Sequence, residues 1–85
     1  MKLRQIASNM TELDTPKASI LFSYSTPVAG LIRFKSEDED GPFRTDTWYS
    51  QTTTRHINKY FREVWGIDPE TVRTIPQHEI DALTK

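Results

Sequence analysis

Five residues constrain this chain most: Ile57, Tyr60, Phe61, Val64 and Trp65 stand at offsets 0, 3, 4, 7 and 8. That spacing draws one broad apolar stripe along a helix, whereas a strand would repeat every second residue. The boundaries agree with a helix over 53–65. Thr52 or Thr53 is placed to cap its start, although no acid follows three positions on to complete a capping box. Gly66 comes directly after the stripe, where a left-handed residue ends a helix. An apolar stripe this broad calls for another layer to cover it.

The middle of the chain supplies that layer. Residues 18–24, ASILFSY, place Ile20, Phe22 and Tyr24 on one face and Leu21 and Ser23 on the other. Residues 28–34, VAGLIRF, place Val28, Gly30, Ile32 and Phe34 on one face and Ala29, Leu31 and Arg33 opposite. Ser25-Thr26-Pro27 joins them as a tight connection, with Pro27 suited to a turn or a first strand position. After an acidic loop, SEDEDGP, residues 43–49 read as a third strand, whose Trp48 side needs a cover such as the helix.

The ends carry weaker signals. Residues 2–7 fit a helix or an extended segment, while 10–15 fit an edge strand beside the hairpin, with Asn9 tolerating the turn. Residues 71–75, TVRTI, fit a short strand, and Thr74 then opens a short C-terminal helix anchored by Ile80 and Leu83. The expectation is one α+β domain over residues 1–85. A small antiparallel sheet of three to four strands packs on one main helix, with a short C-terminal helix alongside.

Composition removes several function classes. There is no cysteine, so a disulfide framework and a zinc–thiolate site are both out of reach. No stretch approaches the roughly 20 apolar residues of a membrane helix, and MKLRQIASNM lacks the continuous apolar core of a signal peptide. A cytoplasmic setting without membrane contact is expected. Formal charge is −1, so nucleic-acid binding must rest on how charge is distributed and not on its sum.

Three stretches together carry a resemblance: LFSYSTPVA, FRTDTWYSQTTTRHINKYF and IPQHEIDAL. The Ser-Tyr-x-Thr-Pro-Val-Ala turn at Ser23 to Ala29, Trp48 to Ser50, the Thr-Thr-x-Arg-His-Ile-Asn-Lys helix start ending at Lys59, and Pro76 to Leu83 match a pattern that spans nearly the whole chain. It resembles a family of small proteins of tailed bacteriophages and prophages. The resemblance implies a viral accessory role in the host cytoplasm, and it implies no activity, cofactor or ligand. The acidic run Glu37 to Asp40 and the basic helix surface depart from that pattern.

Candidate chemistry is sparse. His56 titrates near neutrality and lies beside Thr53, Thr54 and Arg55, but no acid within this motif orients its ring, and only Asp46 offers itself from outside. A capping or hydrogen-bonded histidine beside the strand–helix junction explains it better. His56 and His78 sit on separate elements, and Glu37 to Asp40 lacks the alternating ligands of a calcium loop, so no metal or cofactor is expected. Arg55, Lys59 and Arg62 share a helix face, His56 adjoins Lys59 across a turn, and free N–H groups near Thr53 would suit a phosphate, although Glu63 neighbours Lys59. Arg33, Lys35 and Arg44 add charge from the sheet, and Tyr24, Trp48 and Tyr49 are of a kind that stacks on bases. An ordinary solvated face accounts for the same cations.

Protein binding is the leading expectation. Trp48, Tyr60 and Trp65 offer the contact area that dominates hot spots, unless all three complete the core. Homodimerisation through an open sheet edge is a further expectation.

Overall fold

The computed structural model describes residues 2–33, 36, 38 and 40–84. Six strands form one sheet in chain order: β1 (Lys2–Ala7), β2 (Met10–Asp14), β3 (Ala18–Ser23), β4 (Thr26–Ile32), β5 (Gly41–Thr45) and β6 (Arg73–Ile75). The first five pair antiparallel with their sequence neighbours, and β6 pairs with β5 in parallel. A parallel pair requires a crossover. It is made by α1 (Gln51–Lys59), a π-helical continuation (Tyr60–Trp65) and a short 3-10 turn (Pro69–Thr71); α2 (Gln77–Leu83) closes the chain.

This corrects the expected three to four antiparallel strands on one main helix. The sheet is six-stranded and mixed, and its two helices cover opposite faces. Leu21 and Ala29 share a cluster with Ile57, Tyr60 and Phe61, while Ile32 and Phe43 pack with Ile80. Strand alternation separates those two sets: Leu21 faces Ala29 across the ladder, whereas Ile32 lies opposite Ala18 and Phe43 opposite Gly30. Fully burying one side chain such as Phe61 or Ile80 contributes about 1.5–3 kcal/mol, so each helix is held by a handful of anchors.

Local chemistry explains the element ends. Ser50, not Thr52 or Thr53, is the N-cap; its Oγ accepts the Thr53 N–H at 3.1 Å. Gly66 has φ 66° and ends the π segment in the left-handed region. In the π segment Tyr60, Val64 and Trp65 repeat at four and five residues, which suits the wider i→i+5 turn. Tyr60 meets Phe61 edge-on at 5.4 Å and Trp65 at 6.4 Å. Asn9 (φ 62°) and Tyr24 (φ 59°) turn the chain at one end of the sheet, where the Tyr24 N–H donates to the Asn9 carbonyl at 2.8 Å.

A bulge opposite Leu21 and Phe22 leaves Val28 without a register partner and turns it into the same cluster as Ala29, not onto the Gly30 face. The third strand ends at Thr45, earlier than expected: Asp46 N–H makes the last ladder bond, to the Ile75 carbonyl, and Thr47 N–H then turns back onto Thr45 Oγ1. Residues 10–15 also differ from expectation: β2 lies inside the sheet, and β1 is the edge. Phe34, Lys35, Glu37 and Glu39, which carry part of the strand-face, basic and acidic-run expectations, lie outside the described residues.

Candidate functional site

The start of α1 builds a chain of hydroxyls. Ser50 Oγ donates to Thr53 Oγ1 at 3.2 Å, Thr53 Oγ1 lies 3.1 Å from Ser23 Oγ, and Ser23 Oγ lies 2.7 Å from His56 Nδ1. Burial, then the nearby Lys59 charge, holds His56 below its ordinary value. The neutral imidazole so favoured exchanges one hydrogen bond with Ser23 at Nδ1, and its tautomer sets the direction in which the hydroxyls donate. The Tyr24 ring leans over the imidazole at 5.7 Å.

A histidine beside a serine invites a nucleophilic reading, and two observations oppose it. Ser23 is only 2% exposed, so no substrate reaches it. Among the described residues no carboxylate hydrogen-bonds His56; Asp46 instead accepts from Thr47 Oγ1. Ser23 was absent from the sequence-based candidates, yet a signal existed: it is the polar residue in the Leu21 register, on the side that meets the helix.

Other candidates separate by burial. Thr53 is buried and its N–H is taken by Ser50, so it offers nothing to a phosphate. Arg55, Lys59 and Arg62 are exposed and make no ion pair among the described residues. His56 and His78 stand on helices that cover opposite sheet faces, and no metal-binding cluster occurs among the described residues. No described helix is long and apolar enough to cross a membrane.

The aromatic candidates divide sharply. Tyr60 is 0% exposed and Trp65 packs against the core, so neither serves as a free anchor. Trp48 is 73% exposed and Tyr49 41%. They sit on the β5–α1 connection, which is stiffened by the Thr47 N–H donating to Thr45 Oγ1 at 3.0 Å and by the Ser50 cap. Both line a groove of about 320 Å³ with Arg44, Thr54 and Thr74 on its walls. Partial burial, then Asp81 and Asp46, pushes the Tyr49 hydroxyl up, so it remains a donor at neutral pH.

A second groove, about 350 Å³, lies between β1–β3 and Trp65. Its floor is charged. Glu12, 4% exposed, accepts from Tyr60 Oη at 2.7 Å and from Arg4 at 2.8 Å. Asp14 accepts from Ser19 Oγ at 2.8 Å and from Arg33 at 2.9 Å, which together lower its carboxyl below the ordinary range. Arg33 also donates to the Thr15 carbonyl at 2.6 Å. Every oxygen named here is engaged within the chain, so this network reads first as structure.

No curated protein and no solved structure matches the chain. A family model does match, over residues 1–82, and covers nearly all of the fold just described. The chain belongs to that family, a family of unknown function (DUF8033).

Proposed function

We propose that this protein is a non-catalytic binding module that holds a partner protein through the surface centred on Trp48. The single observation behind this reading is that Trp48 stands 73% exposed on a braced loop while Tyr60, Phe61 and Phe43 are fully buried. A tryptophan beside a groove and a second aromatic is the composition of an interface hot spot. The tailed-phage resemblance of the turn and helix-start motifs supports an accessory role in an infected host cytoplasm.

Trp48→Ala tests it. Capture of partners from infected-cell extract should fall about thirtyfold, the loss expected of a hot spot of about 2 kcal/mol, with folding unchanged. Capture that survives Trp48→Ala and Tyr49→Ala together refutes the reading.

Nucleic-acid binding is the second reading, favoured by Arg55, Lys59 and Arg62 standing exposed and unpaired among the described residues. Three phosphate contacts on a single strand give a log–log salt slope of about −2. Titrating labelled mixed-sequence DNA and RNA at low and moderate salt measures it; no salt-dependent binding removes this reading.

A further inference from the structure

We infer that the open edge of β1 is a strand-addition site for an extended partner segment in which acidic and apolar residues alternate. This site is distinct from the Trp48 surface, which lies beside β6 at the other side of the sheet.

β1 is the terminal strand of the sheet and, among the described residues, pairs on one side only. Lys2, Leu3, Arg4 and Gln5 are all exposed, and Leu3 is 69% exposed. Along such an edge every second residue turns its N–H and C=O outward, ready to pair with another strand.

What the edge accepts is set by its side chains. The ladder with β2 is regular over Lys2–Gln5 and is interrupted by a bulge before Ala7. Consider a second copy pairing antiparallel about a two-fold axis over that stretch. Centred on Leu3, it sets Lys2 opposite Arg4; centred on Arg4, it sets two guanidiniums together. Like charges directly opposite are destabilising, so the edge resists its own copy.

β2 demonstrates the complementary pattern. Glu12, Leu13 and Asp14 stand opposite Arg4, Leu3 and Lys2. The Arg4–Glu12 ion pair forms at 2.8 Å. Asp14 is drawn away by Ser19 and Arg33, so Lys2 has no carboxylate partner among the described residues. Arg4 keeps 56% of its side chain exposed. An outer strand of the same acidic–apolar–acidic order therefore meets Lys2 and Arg4 with carboxylates on the α1 side, and Leu3 with an apolar residue on the α2 side. Main-chain pairing gives affinity and the alternation gives specificity, as in strand addition generally.

The probe is an acetylated peptide of about ten residues alternating Glu and Val, long enough to span the strand. The comparison peptide has the same composition with its Glu and Val residues in two blocks. Amide shifts and hydrogen exchange of the wild-type protein are followed by NMR. The alternating peptide should protect every second amide of Lys2–Gln5, and the block peptide should not. N-methylation of alternate peptide residues should abolish protection in one of the two registers. Lys2→Glu, a surface change, should weaken binding about two- to fivefold, while Trp48→Ala should leave it unchanged.

Equal binding of the block peptide, or shifts confined to the Arg55–Arg62 face, overturns the inference in favour of plain charge attraction. Protection of β1 amides that rises with protein concentration alone overturns it in favour of a second copy.

Discussion

Tyr60→Phe isolates one hydrogen bond in the most charged part of the interior. Tyr60 Oη donates at 2.7 Å to Glu12 Oε2, with Tyr60 fully buried and Glu12 nearly so. Burial and the Glu12 bond push the Tyr60 hydroxyl far up, so it stays protonated and donating across the whole working pH range. Removing Oη keeps the ring and its packing while leaving one carboxylate oxygen without its buried donor. A hydrogen bond to a charged group is worth about 1.5–3 kcal/mol. For a domain of this size that is a fall in Tm of roughly 10–20 °C, and a large share of a total stability of about 5–10 kcal/mol. Urea unfolding at pH 7 gives the free-energy difference directly. Glu12→Leu in the Tyr60→Phe background should recover part of the loss, because replacing both partners removes the stranded charge. A single Tyr60→Phe variant within about 0.5 kcal/mol of wild type refutes the reasoning, and so does a double variant that is no better than the single.

Three further outcomes follow from the same structure. Gly30→Ala places a Cβ against the Ser19 carbonyl oxygen and 2.9 Å from Phe43 Cζ, so it should cost about 3 kcal/mol or more by overpacking; urea unfolding showing less than about 1 kcal/mol removes the argument. His56 has a lowered value in the fold, so its contribution to stability is complete above the unfolded value of about 6.5 and is lost as pH falls through the lower folded one. Thermal unfolding from pH 8 to pH 5 should show that loss, and His56→Asn, whose amide can hydrogen-bond Ser23 without titrating there, should flatten it. Trp48→Ala should change unfolding free energy by no more than about 0.5 kcal/mol, since the side chain stands clear of the core.

Legibility in the sequence followed how plainly each segment displays its burial. The helix expected over 53–65, which begins two residues earlier at Gln51, is legible because its apolar stripe and its glycine stop agree with what the sheet requires. β3 was evident for the same reason, with Ile20 and Leu21 on opposite covered faces. β1 stayed open between helix and strand, and β2 was expected over 10–15 but as an edge, because the side that meets the helix carries Arg4, Glu12 and Asp14, and a buried acid such as Glu12 mimics a solvated face until its partners are seen. β6 lies within the short strand expected over 71–75, but three residues show neither which strand they join nor in which direction. Trp48 and Tyr60 illustrate the same limit at the site: the pattern puts one in a strand and the other in a helix, yet tertiary position makes one a surface feature on a connection and the other the centre of a polar network.

The parallel pairing of β5 with β6 bears on how this chain completes itself. Strands β1 to β5 each adjoin the strand before them, so their contacts are short in sequence and each can form as soon as its own hairpin is made. β6 must wait for the whole helical crossover, and α2 arrives after it. Ile32 and Phe43 have Ile80 as their buried cluster partner, so residues 1–72 alone would carry an uncovered apolar face on an otherwise paired sheet. Solubility of the growing or truncated chain thus hangs on its final strand and helix, which act less as an appendage than as the seal on the second face.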